Sequence, residues 1–221
     1  MKVIITGDVH ERFGYLNKVI NKRKPDIVIC CGDFGYWPPL MFNSTRPKPQ
    51  GSKIYWVDGN HENFNELGLL IENRSSKNEF EPIEWLPDVY YMNRGSVLEI
   101  GDKRVLFVGG ARSYDKEYRT EGIDWFPNEV LTEEQFEKFP DVDVDVVISH
   151  TMPRTMMPVY GVEKRKEDPS WRILDKVFLK YVPKEWYFGH WHFHHILEHV
   201  DCKWTALAGA PDDGWWIENE W

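Results

Sequence analysis

Short apolar runs alternate with helical spacings over the first third of the chain. Strands are predicted at 3–5, 27–31 and 54–57, because each run is apolar, rich in β-branched or aromatic residues, and followed within two residues by glycine. Helical spacing of apolar residues over 11–23, and again from Phe64, predicts a helix after the first and third strands. This alternation predicts an α/β layer with a mostly parallel sheet.

The second half of the chain has shorter elements. The apolar runs 97–100 and 105–108 predict a hairpin, because they are joined through Gly101, Asp102 and Lys103. A capping box predicts that a short helix begins after Thr132, and an N-cap aspartate followed by Pro169 predicts a longer one. Further strands are predicted at 144–148, 186–188, 196–200 and 204–207.

The aromatic tail, 215–221, predicts a strand that folds back on the core, with an oligomer contact as the alternative. With this strand added, the elements predict a single α/β domain over residues 1–221, in which two packed sheets carry helices outside. The sequence does not predict an oligomeric state.

The charge composition argues against one class of partner but does not identify the function. The 221 residues carry 27 Lys and Arg against 36 Asp and Glu, a formal net charge of −9. That balance argues against long duplex nucleic acid as a partner, because duplex binding needs a basic face. It does not exclude a small phosphorylated substrate, since a bound metal can reverse the local charge.

Cysteine usage and the chain's start favour a cytoplasmic protein. Cys30 and Cys31 lie in an apolar run far from Cys202, which indicates buried thiols in a reducing compartment rather than disulfides. Met1 leads directly into a core strand without a signal peptide, and no apolar stretch approaches the roughly 20 residues of a membrane span.

Metal-binding residue types follow five predicted strands, at the strand ends where α/β sheets collect ligands. They are Asp8 and His10, Asp33, Asn60 and His61, His150, and His190 and His192. Mixed nitrogen and oxygen donors favour Mn, Fe, Ni or Zn over Mg or Ca. A carboxylate can bridge two such ions, and two ions about 3.5–4 Å apart can hold an attacking hydroxide and clamp a phosphoryl displacement.

These blocks, with their flanking glycines, resemble the ordered motif set of the calcineurin-like metallophosphoesterase superfamily. The matching segments are 7–10, 32–33, 59–62, 150 and 189–192. The resemblance implies a four-layer α/β/β/α sandwich of two mixed sheets, with two divalent ions, Mn2+ first among them. It implies one ion on Asp8, His10, Asp33 and His192, and a second on Asp33, Asn60, His150 and His190, with Asp33 bridging.

The resemblance also implies an activity. Metal-bound hydroxide would hydrolyse a phosphodiester or phosphomonoester, of nucleotide-like chemistry, while His61 protonates the leaving oxygen. The segment 33–38 lacks the arginine of the D-x-x-D-R-G run found in the Ser/Thr protein phosphatases, and instead is similar to small bacterial and phage members. A nuclease acting on short single strands and a non-catalytic scaffold that keeps the fold are the alternatives.

Four loop residues are candidates for substrate binding. Arg112 offers a planar fork for phosphate, with a surface salt bridge as the alternative. Tyr114, Tyr36 and Trp37 offer rings for stacking on a nucleobase, with loop packing as the alternative. His194 and His195 follow the last motif and are expected in an exposed strand or turn, without an assigned role.

Overall fold

A computed structural model of the protein describes residues 1–38, 45–74, 78–162 and 167–221. In these residues twelve strands form two six-stranded mixed sheets. The first sheet has the order β12-β1-β2-β3-β5-β4. Its strands are β1 (Lys2–Thr6), β2 (Ile27–Cys30), β3 (Lys53–Trp56), β4 (Ile83–Leu86), β5 (Val89–Tyr91) and β12 (Trp216–Glu220). The four central strands are parallel, and β12 and β4 pair antiparallel at the edges.

The second sheet repeats this arrangement, in the order β10-β11-β9-β8-β7-β6. Its strands are β6 (Val97–Ile100), β7 (Lys103–Val108), β8 (Val146–Ser149), β9 (Glu185–Phe188), β10 (His195–His199) and β11 (Cys202–Ala206). Here β7, β8, β9 and β11 are parallel, while β6 and β10 are antiparallel edges. In each sheet, therefore, the carboxyl ends of four parallel strands lie along one edge.

Side chains cap the N-termini of two of the four α-helices described. The four helices are α1 (Phe13–Arg23), α2 (Phe64–Arg74), α3 (Glu133–Glu137) and α4 (Pro169–Tyr181). The predicted capping box is present, because Thr132 accepts from the Gln135 amide and the Gln135 side chain accepts in return. Asp168 likewise caps α4 by accepting from the amide of Ser170. Across the described ranges, the structure contains no helix that is both long and apolar enough to span a bilayer.

Apolar side chains form three layers that alternate with the sheets and helices. Val3 and Ile5 of β1 pack between the two sheets with Phe107 and Tyr187, whereas Ile4 faces the outer layer under α1 and α2. The opposite face of the second sheet, which includes Trp186, packs against α4. Strand alternation thus fills three cores at once, which confirms the four-layer α/β/β/α arrangement.

The tail strand and the thiols also match expectation. β12 pairs antiparallel with β1 from Lys2 opposite Glu220 onward, so the tail does fold back on the core. All three cysteines are free and buried.

Two strand features differ from the sequence prediction. The hairpin of β4 and β5 was not predicted, because its strands are only four and three residues long and Pro87 lies in the connection. Strand β8 begins at Val146 instead of 144, and directly before it the side chain of Asp145 accepts a hydrogen bond from the amide of Arg104 at 2.8 Å.

Candidate metal centre

The candidate ligands come from both sheets and meet at one edge. Asp8, Asp33 and Asn60 follow β1, β2 and β3 of the first sheet. His150 and His190 follow β8 and β9 of the second sheet. Because these strands are parallel within each sheet, their carboxyl ends place side chains on the same side of the molecule.

One group of donor atoms consists of Asp8, His10 and His192, whose ligand atoms all lie within 4.8 Å of one another. The His192 Nε2 atom lies 2.8 Å from Asp8 Oδ2. The Nε2 atoms of His10 and His192 face each other at 3.2 Å, and His10 Nε2 is 3.7 Å from Asp33 Oδ2. Two imidazole nitrogens and two carboxylates thus converge as the ligands of one ion do.

A second group consists of Asp8, Asp33 and His150, again within 4.8 Å. His150 Nε2 lies 3.4 Å from Asp33 Oδ1 and 3.1 Å from Asn60 Oδ1. The other ring nitrogen of His150, Nδ1, is 2.9 Å from the carbonyl oxygen of Cys31. A proton on Nδ1 that is donated to this carbonyl leaves the Nε2 lone pair free for a metal.

His190 completes this side of the centre. Its ring makes an edge contact with His150, with ring centroids 4.9 Å apart. Its Nε2 atom is buried and has no hydrogen-bond partner among the described residues. A buried, unpaired imidazole nitrogen is costly unless something outside the protein chain binds it. Together with the nitrogen and oxygen donors around it, this atom fits the divalent ions that the sequence predicts.

The electrostatics of the centre favour a bound cation. Burial opposes charge at Asp33, but His150 and the neighbouring imidazoles hold the pKa of this carboxyl well below its usual range. Burial also opposes charge on His150, yet the carboxylates of Asp33 and Asp8 raise the pKa of His150 to about 10. Carboxylates that hold a proton so firmly on an imidazole would attract a divalent ion in its place.

Four of the predicted ligands have left-handed backbone, which non-glycine residues rarely adopt. The φ angles are 47° at His10, 43° at Asp33, 67° at His190 and 53° at His192. Such conformations cost of order 1–3 kcal/mol each and concentrate at functional sites. The backbone at these strand ends is therefore shaped to aim the side chains inward and not by local preference.

Two glycines make room for the carboxylates. A Cβ atom on Gly59 would collide with Oδ1 of Asp33, and one on Gly189 would collide with Oδ1 of Asp8. Those same oxygens accept hydrogen bonds at 2.8 Å from the amides of His61 and His190. The motif glycines thus let backbone amides approach and orient the two acids.

Glu62 supports the loop that carries Asp33, and sequence reasoning gave it no role. Its buried carboxylate accepts hydrogen bonds from three consecutive amides, those of Phe34, Gly35 and Tyr36, at 2.8, 3.1 and 2.5 Å. Burial raises the pKa of Glu62 to about 8, and the nearby Asp33 carboxylate adds to the rise. The signal in the sequence was its place as the last residue of the 59–62 motif.

A second supporting chain reaches Asn60 from the loop after β7. The buried carboxylate of Glu129 accepts from both the amide and the hydroxyl of Ser113, at 2.8 and 2.7 Å. Ser113 in turn lies 3.2 Å from the amide nitrogen of Asn60. Donation by that amide leaves Asn60 Oδ1 directed at the metal side. Nothing in the local sequence pattern linked these three residues.

His61 lies at the mouth of a cleft beside the centre. Its ring packs edge-on against His10, with centroids 5.1 Å apart. Burial lowers the pKa of His61, and the cations of Arg119 and His10 lower it further, against the opposite pull of Asp33. The cleft measures about 560 Å³ and is lined by His10, Glu11, Gly35, Trp37, His61, Asn63, Ile123 and Asp124.

The four predicted substrate contacts have different positions. Trp37 lines the cleft and donates through Nε1 to the carbonyl of His61 at 2.8 Å. Tyr114 packs near His190 and Trp191, with centroids 5.4 and 5.9 Å away.

Tyr36 and Arg112 do not face the cleft as predicted. The Tyr36 ring is stacked on Trp56 in the core and only 4% of the residue is exposed, so it has no face for a base. The Arg112 guanidinium donates to the carbonyl of Glu167 at 2.8 Å, so this fork is engaged by the chain itself. His194 and His195 are exposed, and His195 begins the edge strand β10.

Comparison with known proteins places this geometry in a family. A model of the calcineurin-like phosphoesterase family matches residues 1–194. A lariat debranching enzyme of Schizosaccharomyces pombe is 25% identical over 259 aligned residues, which cover 97% of this chain and 51% of that enzyme. The chain therefore spans about half the length of this relative.

Solved structures share the fold at low identity. Phosphopantetheinyl hydrolase from Mycobacterium tuberculosis has a TM-score of 0.51 at 13% identity, covering 99% of this chain and 96% of that one. The anchor in the inner membrane complex of Plasmodium has a TM-score of 0.50 at 10% identity, covering 93% and 70%. These likenesses show the fold alone. Because the family model spans most of the sequence, the chain belongs to the calcineurin-like phosphoesterase family.

Proposed function

We propose that the protein is a phosphodiesterase that depends on two divalent metal ions and acts on a nucleotide-like substrate. The observation that carries the proposal is the convergence of metal-type side chains from the two sheets. Ligand atoms of five of them form two groups within 4.8 Å, and Asn60 and the buried imidazole of His190 contact His150 in the second group. No group among the described residues forms a hydrogen bond with the Nε2 atom of His190. Membership of a phosphoesterase family supports the same conclusion.

Each side chain has a distinct task in this proposal. Asp8, His10, Asp33 and His192 would hold one ion, and Asp33, Asn60, His150 and His190 the other. Divalent ions held there would activate water and neutralise the phosphate charge. The donors mix nitrogen and oxygen, which suits Mn, Fe, Ni or Zn, and among these we propose Mn2+.

His61 would donate a proton to the leaving oxygen. Its lowered pKa keeps that proton easy to transfer, since a weaker base gives up its proton more readily. Because His61 packs against His10 and lines the cleft, the leaving group would occupy the cleft in this proposal.

The cleft supports a nucleotide-like leaving group. A volume of about 560 Å³ suits a ligand of nucleoside size, and Trp37 offers an aromatic face in its lining. One relative is named as a lariat debranching enzyme, and this likeness supports the proposal of a phosphodiester substrate. The formal charge of −9 makes a short single strand a better candidate than a long duplex.

Hydrolysis of two substrates by the Mn2+-loaded protein tests the proposal. Thymidylyl-thymidine needs protonation of its leaving oxygen, whereas bis-para-nitrophenyl phosphate releases a stable anion. We expect Asp33→Ala to abolish both activities. We expect His61→Ala to slow the first reaction roughly 10²–10⁴-fold and the second far less.

His199→Ala is the matched control, because this exposed histidine lies on the edge strand β10 outside the centre. It should retain full activity on both substrates. Full activity of Asp33→Ala would refute the proposed metal centre. An equal effect of His61→Ala on both substrates would refute its role as the acid.

A scaffold without chemistry is the second candidate, since the same fold occurs in a protein named as an anchor. The complete set of candidate ligands in this chain favours the enzyme. The three buried thiols further favour a reducing, cytoplasmic setting, which we include in the proposal.

A further inference from the structure

Arg119 contacts His61, a residue that lines the cleft, and sequence reasoning gave Arg119 no role. Its Nη2 atom lies 2.9 Å from Nε2 and 3.0 Å from Nδ1 of His61. The same atom forms an ion pair with Asp115 at 2.8 Å, and Nη1 donates to the carbonyl of Asp124 at 3.2 Å. Only 10% of the side chain is exposed, so these contacts hold the guanidinium in a defined place.

The contact with His61 is not a directed hydrogen bond. One nitrogen that is nearly equidistant from both ring nitrogens cannot be aligned with either, because the in-plane bonding directions of the two ring nitrogens diverge. A guanidinium in that position repels a protonated imidazole and the cations that the neighbouring carboxylates attract. An anion between these positive groups would turn the repulsion into attraction.

We propose that Arg119 binds a non-bridging oxygen of the substrate phosphate, next to the leaving oxygen that His61 would protonate. The inference rests on the proposed function and names a residue for the same site. Asp115 and Asp124 orient the fork and engage two of its five N–H groups, which leaves further donors for phosphate oxygens.

The positions of other arginines strengthen this assignment. The segment 33–38, which follows the bridging acid, contains no arginine. Arg112, the arginine that the sequence favoured, donates to the carbonyl of Glu167. Arg119 is instead supplied by the loop that also brings Ile123 and Asp124 to the cleft, so one loop would bind both phosphate and leaving group.

Binding of inorganic phosphate to the Mn2+-loaded protein tests the inference without requiring turnover. Loss of a hydrogen-bonded charge should weaken phosphate binding in Arg119→Ala roughly 10- to 100-fold by calorimetry. Hydrolysis of thymidylyl-thymidine should fall by about 10²-fold or more in kcat/KM. Arg119→Lys should recover part of both losses, because it keeps the charge without the fork.

Lys116→Ala is the matched control, since it removes one exposed positive charge from the same loop. It should leave phosphate binding within about twofold of the unmodified protein. Arg112→Ala tests the competing arginine, and a larger loss there than in Arg119→Ala would overturn the inference.

Two further outcomes would overturn it. One is unchanged phosphate binding in Arg119→Ala, and the other is lost Mn2+ binding, which would make Arg119 a support of the metal centre. If Arg119→Ala does not fold, Arg119→Gln is judged by the same criteria. Failure of the proposed function can be told apart from failure of this inference. If the proposed function is wrong, the unmodified protein does not hydrolyse the dinucleotide, and phosphate binding still tests the role of Arg119.

Discussion

Replacing Arg94 with methionine should destabilise the protein more than any surface change. Arg94 is 5% exposed at its side chain and pairs with Asp58, which is fully buried, through Nη2 at 2.6 Å and Nε at 3.1 Å. It also donates to the carbonyls of three consecutive residues, 128–130, and to the Gln135 side chain. One side chain therefore joins the end of β3 to the loop before α3.

The magnitude follows from what the substitution leaves behind. Asp58 would retain the hydrogen bond from the Tyr91 hydroxyl at 2.8 Å but lose its counterion. Breaking one side of a buried ion pair costs about 3–5 kcal/mol in the free energy of unfolding. For a chain of 221 residues, an unfolding entropy of about 2.1 cal/mol/K per residue converts this to a fall of about 7–11 °C in Tm.

Thermal and urea unfolding of Arg94→Met and of the double variant Arg94→Met/Asp58→Leu would measure it. The double variant should recover most of the loss, since an apolar pair replaces a buried ion pair at little cost. Arg104→Met is the control, because its partner Asp143 is 90% exposed at the side chain. A loss below about 1 kcal/mol in Arg94→Met, or a further loss in the double variant, would refute the reasoning.

Three other predictions concern protons, metal and thiols. Because the pKa of Glu62 is raised to about 8, its contribution to stability falls as pH rises from about 4.5 to 8. In urea unfolding, the free energy of unfolding should therefore decline less with pH in Glu62→Gln than in the unmodified protein. Equal slopes of the two proteins would contradict this prediction. Removal of metal with EDTA should lower Tm by about 6 °C relative to protein in Mn2+ at 100 times its Kd, and Mn2+ but not Na+ should restore it. Burial raises the pKa of Cys30 and of Cys31, and that of Cys202 to about 12, so a thiol reagent should label none in the folded protein and three after denaturation. Rapid labelling of the folded protein would show that these thiols are accessible.

The sequence predicted the fold well where periodicity decides the structure. Apolar runs such as 27–31 are buried on both faces because β2 is a central parallel strand, so their composition carries the signal. The polar residues after the strands could be placed at one edge for the same reason. The short hairpin of β4 and β5 lacked such a pattern, because pairing with β3 and not composition stabilises it.

Loop side chains were harder to predict, since their positions depend on contacts between distant segments. Tyr36 and Trp37 are neighbours in sequence, yet one lies in the core and the other lines the cleft. Arg112 and Arg119 come from the same loop. The sequence singled out Arg112, whose guanidinium donates to the carbonyl of Glu167, and gave no role to Arg119, which contacts His61. Glu129 reaches Asn60 only through Ser113, a relation across separate elements that no local spacing records.

The left-handed backbone at His10, Asp33, His190 and His192 has a consequence for how this protein can change. Glycine or asparagine would suit these torsion angles better than the present residues do. Selection for thermal stability alone would therefore tend to erase the centre one ligand at a time, because each loss relieves strain. The presence of all four side chains in such torsions therefore makes the candidate metal centre a place where backbone strain opposes the stability of the fold.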